Sequence, residues 1–114
     1  MTLESPADLP LWTPRPQWSA TTHMAAFTAL ARTLSGRPLA SYADLHAWSV
    51  EVPEGFWTAL WDFCGVIGAR GAGPVLVDGH KMPGARWFPQ ARLNFAENLL
   101  RDCANPDALV FWGE

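Results

Sequence analysis

Pro53-Glu54-Gly55-Phe56-Trp57-Thr58-Ala59-Leu60-Trp61-Asp62-Phe63-Cys64-Gly65-Val66-Ile67 is the run from which the rest of the fold is read. Pro53 suits the first turn of a helix, where its missing N–H has no intrahelical partner anyway, and Glu54 adds a charge that the helix N-terminus favours. The spacing predicts a helix over Pro53–Ile67. Phe56, Trp57, Leu60, Trp61, Phe63, Cys64, Val66 and Ile67 leave only Glu54, Thr58 and Asp62 as a polar stripe at i, i+4 and i+8. A helix apolar around most of its circumference demands burial on most sides. No other segment of this 114-residue chain is long enough to surround it, so the composition of this helix points to a larger body.

Upstream, Ser41-Tyr42-Ala43-Asp44 has the form of a capping box with Asp in place of Glu. Leu45, Trp48 and Val52 then mark one face of a second helix that ends before Pro53. Further upstream, Met24, Phe27, Leu30, Ala31 and Leu34 recur at spacings of three and four. They predict an amphipathic helix over Ser19–Leu34, with Ser19 or Thr21 as N-cap and Gly36 as the stop. Pro6, Pro10, Pro14 and Pro16 make residues 1–17 an extended arm, pinned by Leu11 and Trp12.

Downstream, Gly65, Gly68, Gly71 and Gly73 open a connection to Val75-Leu76-Val77, a short β-like run closed by the turn signal Asp78-Gly79. Met82–Pro89 is irregular and aromatic. Asn94 and Glu97 predict a capping box for a fourth helix carrying Phe95, Ala96, Leu99 and Leu100, which Asn105-Pro106 breaks. Ala108–Trp112 reads as a buried strand with no returning partner, which marks the C-terminus as a cut. The expected fold is mainly α, with about four helices and one or two short strands.

The length allows one modest domain. Eight Lys and Arg against eleven Asp and Glu give a net charge of −3, and the cations are scattered from Arg15 to Arg101. That pattern argues against a nucleic-acid partner. A 49% hydrophobic fraction is that of a folded chain. No apolar run approaches the roughly 20 residues that span a bilayer, and Glu4 and Asp8 with the early prolines do not make a signal peptide. A cytoplasmic protein without membrane attachment is expected. Cys64 and Cys103 form no CxxC pair, and His23, His46 and His80 are far apart, so no zinc motif is present.

No group of residues reads as a catalytic constellation. The glycines of residues 65–73 follow a helix and precede a strand, the reverse of the context a phosphate-binding loop requires, and read as a helix terminator and loop. Glu54 with Asp62, and Asp44 with His46, are accounted for by caps and solvated faces. Cys64, between Phe63 and Gly65 and close to Trp61 and Ile67, reads as a small core residue rather than an activated nucleophile. His80-Lys81 reads as exposed, and Arg86 as stacked on or paired near Trp87. Seven Trp and six Phe in so short a chain are either buried or bound. Trp48, Phe56, Trp57, Trp61, Trp87 and Phe88 could form the recognition surface of a small stand-alone binding module, but helical spacing favours a core or an intramolecular interface. A stand-alone hydrolase has only unassigned acidic residues behind it.

Trp12-Thr-Pro14, Ser41–Ser49, Phe56-Trp57, Leu60–Cys64, Val75–Gly79, and above all Met82–Pro89 leading into Ala91–Leu100, together resemble the N-terminal region of the acetoacetyl-CoA synthetase (acetoacetate–CoA ligase) family. The resemblance runs from about residue 10 to the end and is most specific over residues 82–100, where the Trp-Phe…Leu-Asn…Asn-Leu framework is shared with acetyl-CoA synthetases. It implies an adenylate-forming ligase that converts ATP and acetoacetate to an acyl-adenylate and pyrophosphate, after which CoA thiol displaces AMP, with Mg²⁺ accompanying the ATP. The phosphate loop, ribose-binding acid and catalytic lysine of that family lie downstream of Glu114. The resemblance therefore assigns no catalytic, cofactor-binding or metal residue here. It implies a helical N-terminal cap over residues 18–105, following the arm, and the first strand of a nucleotide-binding domain over residues 106–114, with the rest of the ligase chain as partner. Trp57, Trp61, Trp87 and Phe95 are then anchors, in the core or against that partner.

Overall fold

The computed structural model describes residues 10–101 and 110–113. They divide into two units, one up to Leu60 and one from Trp61 onward. The helices, in chain order, are α1 (Pro16–Ala20), α2 (His23–Ser35), α3 (Tyr42–Glu51), α4 (Pro53–Phe63) and α5 (Phe95–Leu99). Four two-residue strands lie between α4 and α5: β1 (Gly68–Ala69), β2 (Leu76–Val77), β3 (Arg86–Trp87) and β4 (Arg92–Leu93). The mainly α class stands, with one helix more than expected.

That extra helix comes from Pro16. The prolines of the arm were expected to keep residues 1–17 extended, but Pro16 occupies the first turn of α1, where a proline costs no hydrogen bond. The arm therefore gives way to helix after Arg15, and residues 1–9 lie outside the described residues. The helix predicted from Ser19 is interrupted at Thr21-Thr22. The Thr22 hydroxyl accepts from the Ala25 N–H at 3.2 Å and so acts as the N-cap of α2, in place of Ser19 or Thr21. Gly36 ends α2 as expected, at φ 65°, where a residue without Cβ is least strained.

In the first unit, α2 contributes Phe27 and Ala31 to the core, α3 contributes Leu45 and Trp48, α4 contributes Ala59, and the α2–α3 connection contributes Leu39. Phe56 sits between Phe27 and Trp48, with ring centroids at 5.5 and 5.7 Å and both pairs edge to face, the arrangement ring quadrupoles favour. The Arg32 guanidinium donates to the carbonyls of Pro38 (2.8 Å) and Leu39 (3.0 Å), which fixes the turn that places Leu39. The capping box of α3 is complete: Asp44 N–H donates to Ser41 Oγ at 3.2 Å and Ser41 N–H to Asp44 Oδ2 at 2.8 Å.

In the second unit, α4 stops at Phe63 rather than Ile67. Gly65 turns the chain at φ 58°, and Gly65 and Val66 donate back to the Asp62 and Trp61 carbonyls. The strands form two antiparallel ribbons, β1 with β4 and β2 with β3, the second in the register Leu76↔Trp87 and Val77↔Arg86. Phe88 N–H extends that ribbon to the Val75 carbonyl at 2.6 Å, and its ring lies against Trp61 at 5.0 Å. No described residue of this unit is fully buried. Of the strand expected at Ala108–Trp112, residues 108 and 109 lie outside the described residues, while Val110, Phe111 and Trp112 are in no strand and are exposed.

Candidate docking face

The helix α5 is placed by contacts distant in sequence. Asn94 caps it, its side-chain oxygen accepting from the Ala96 (2.9 Å) and Glu97 (3.3 Å) N–H groups. The cap is one-sided, without the return bond from Glu97 expected of a capping box. One turn later Asn98 reaches Ile67, accepting from its N–H and donating to its carbonyl, both at 2.8 Å. The amide thus imitates one rung of a β-ladder. Arg101, just past the helix, donates to the Cys64 and Gly65 carbonyls at 3.1 and 3.2 Å and satisfies groups that the end of α4 leaves without intrahelical partners. Every one of these polar groups faces its own unit. Phe95, Leu99 and Leu100 instead face outward, with relative exposures of 74%, 68% and 75%.

Asn98 and Arg101 had not been singled out from the sequence. The signal available was the four-residue spacing of Asn94 and Asn98, which puts two amides on one helix face. Their partners, 31 and more residues away, could not be read from local pattern.

The residues considered for chemistry are spoken for. Asp44 is held in its cap, where the Ser41 backbone N–H and then the Ser41 hydroxyl keep its carboxyl below the usual carboxylate range. His46 stacks on Tyr42 at 6.3 Å. Asp62 pairs with Arg70 at 2.9 Å and Lys81 with Asp78 at 3.2 Å, both at the surface. Glu54 is exposed. Cys64 was expected in a core; it is exposed, because α4 ends one residue before it and the turn at Gly65 carries it outward. Arg86 is exposed in β3. Among the described residues, no group of three His, Cys, Asp or Glu is placed to hold a metal ion.

The glycine run also has a packing explanation. A Cβ on Gly71 would stand 2.7 Å from the Gln90 Cβ, and one on Gly73 would stand 2.6 Å from the Gln90 side-chain carbon Cδ. These positions are glycine because the chain passes against Gln90, so the space beside them is filled and does not fit a phosphate.

In the first unit a cleft of about 660 Å³ opens between the arm, α1, α2 and α3, walled by Trp12, Trp18, Met24, Leu39, Tyr42 and Leu45. Of the four expected anchors, Trp57 (42% exposed) and Trp87 (44%) are only partly covered, Phe95 is outside any core, and Trp61 is half-buried against Phe88.

The family model described as "Acetyl-coenzyme A synthetase N-terminus" matches residues 42–99, the span from the first residue of α3 to the last of α5. An acetoacetyl-coenzyme A synthetase of Rhizobium meliloti (strain 1021) is 48% identical over 95% of this chain, which covers 16% of that protein. A malonamoyl-CoA synthetase of Penicillium aethiopicum is 42% identical over 69% of this chain and 11% of its own length. The solved acetoacetyl-CoA synthetase from Streptomyces lividans superposes with a TM-score of 0.73 at 41% identity, over 82% of this chain and 14% of that one. The chain therefore spans about one-sixth or less of the relatives it matches, and the stand-alone module is not the favoured reading.

Proposed function

Since the chain belongs to the acetyl-coenzyme A synthetase N-terminus family and corresponds to an N-terminal region of acetoacetyl-CoA synthetase-like enzymes, we propose that it is the structural, non-catalytic N-terminal part of an acetoacetate–CoA ligase. In this reading residues 18–105 belong to the helical cap and residues 106–114 to the start of the nucleotide-binding domain, where Val110, Phe111 and Trp112, in no strand here, would join one only against the rest of the ligase chain. The whole ligase is cytoplasmic and couples ATP, acetoacetate and CoA through an acyl-adenylate to give acetoacetyl-CoA, AMP and pyrophosphate. ATP, Mg²⁺ and CoA belong to the remainder of that chain. The acidic, cysteine and glycine positions here are taken up by caps, ion pairs, turns and close packing, so no step is assigned to them.

One observation carries this reading: the first unit has a small core of its own, whereas no described residue of the second unit is fully buried. A unit with so many large apolar side chains and no interior is a surface layer awaiting another body.

The test is the intact mass of the native protein, captured from its source with an antibody against this segment, followed by acetoacetate-dependent ATP–pyrophosphate exchange. A mass several-fold that of this chain, with exchange that requires acetoacetate, is the expected result. A native protein of this length, or a longer one in which acetoacetate supports no exchange, would overturn the reading. The relative named as a malonamoyl-CoA synthetase is 42% identical over 69% of this chain, so likeness in this segment does not choose the acid, which must be tested directly.

A further inference from the structure

The cleft of the first unit carries a charge that nothing beside it balances. Its described wall holds Arg32 and no acidic residue. The Arg32 Nε and Nη2 groups donate to the Pro38 and Leu39 carbonyls, which fix the guanidinium in place without neutralising it, and Nη1 takes no part in these bonds. Among the described residues no carboxylate pairs with Arg32. A second cation, Arg15, stands 5.5 Å from the centre of the Trp18 ring and is likewise without a carboxylate partner among them. The wall hydroxyls, by contrast, are spent: Ser19, Thr22 and Thr28 donate to the carbonyls of Arg15, Ser19 and Met24, and Ser41 caps α3. Around them Trp12, Trp18 and Tyr42 are 68%, 59% and 72% exposed.

We propose that this cleft is a binding site for an aromatic monocarboxylate, separate from any site for the ligase's own substrates. Charge selects the carboxylate: a guanidinium held by two carbonyls is preorganised, and a carboxylate is the partner whose geometry and charge it matches. The walls select the ring, because three aromatic side chains and the adaptable thioether of Met24 offer flat apolar surface with no polar group to satisfy. The cleft volume of about 660 Å³ is that of a small-molecule pocket. Other occupants fit less well. A sugar needs many hydrogen-bond partners, and the wall hydroxyls are engaged. A nucleotide or CoA brings several negative charges to one free guanidinium edge. Acetoacetate has too little apolar surface to cover the rings. The proposal stands on the first unit alone and does not depend on the ligase reading.

The test titrates 2-naphthoate into the full-length native protein by isothermal calorimetry, with 2-naphthamide as the uncharged twin of the same shape. Saturable binding of the naphthoate is expected, with the amide weaker by about tenfold, the loss of a charge-assisted contact. Trp18→Ala, in a helix with no buried residue, and Tyr42→Ser, at an exposed position, should each weaken the naphthoate by about tenfold while leaving the helical circular dichroism unchanged. Saturating acetoacetate or ATP should leave its affinity unchanged. No saturable binding, equal affinity for the amide, or wild-type affinity in both variants would overturn the proposal. Displacement by acetoacetate or ATP would do so as well, by placing the probe in a substrate pocket. Binding as expected in a protein without acetoacetate-dependent exchange would keep the cleft site and reject the ligase reading, whereas active exchange without binding would do the reverse.

Discussion

The side-chain amide of Asn98 pairs with the backbone of Ile67 on both sides, donating to its carbonyl and accepting from its N–H at 2.8 Å each. Neither end of this pairing belongs to a strand. It performs the work of a sheet where the chain has no strand to offer, and it holds α5 to the turn that follows α4.

Asn98→Ala leaves the Ile67 N–H and carbonyl without these partners. Both hydrogen bonds are solvent-exposed, so water can replace them in part and their loss should cost about 1 kcal/mol. The direct reading is hydrogen exchange at the Ile67 amide, which should accelerate, while the amides of α2 and α3 keep their wild-type protection.

Trp48 is buried against Phe56 in the one interior the described residues form. Truncating a fully buried aromatic costs about 3–5 kcal/mol. Trp48→Ala should therefore unfold the first unit at much lower urea concentration, seen as loss of helical circular dichroism.

Phe95→Ala offers a contrast. Its side chain is exposed in this chain, so the 114-residue protein should melt as wild type, whereas in the full-length ligase the same change should cost on the order of 3 kcal/mol. Equal melting shifts in both would show that Phe95 stabilises the segment itself.

Gly36 and Gly71 both have positive φ, at 65° and 81°, but only Gly71 is crowded, by the side chain and carbonyl of Gln90. Gly36→Ala should cost about 1 kcal/mol for the backbone alone. Gly71→Ala should cost more, because the contact includes backbone that cannot turn aside. Urea midpoints of the two variants give the comparison.

The Asp44 carboxyl is held below its ordinary range by the Ser41 N–H and hydroxyl. A carboxyl whose pKa is lowered by folding stabilises the fold fully above its unfolded value and loses that contribution as pH falls through the folded one. The first unit should therefore weaken in acid below about pH 4, and Asp44→Asn should flatten that part of the profile. Thermal melts between pH 2 and 6 would follow it.

Much of this architecture was legible because its determinants are local. Ser41 and Asp44, Gly36, and the spacing of Phe27 and Ala31 each act within a turn or two of themselves. Pro16 was misread because a proline that forbids a helix interior favours a helix start. The end of α4 was placed four residues late because Cys64, Val66 and Ile67 continue an apolar pattern that only Gly65 interrupts. Arg101 then satisfies carbonyls there from 36 residues downstream of Gly65, a contact no window of sequence contains. The two-residue ribbons are too short to show alternation. For the same reason the outward face of α5 was not visible: its pattern is amphipathic, and which side meets water depends on where Asn98 finds Ile67.

Arg101 also closes a circuit. Its guanidinium joins the chain back to Cys64 and Gly65, so everything between them, both ribbons and α5 included, is an excursion with its two ends clasped. Anyone dissecting the ligase into separately expressed or split halves should treat residues 64–101 as indivisible. A cut on either side of that span respects the clasp, whereas a cut inside it strands α5 apart from the turn that orients it.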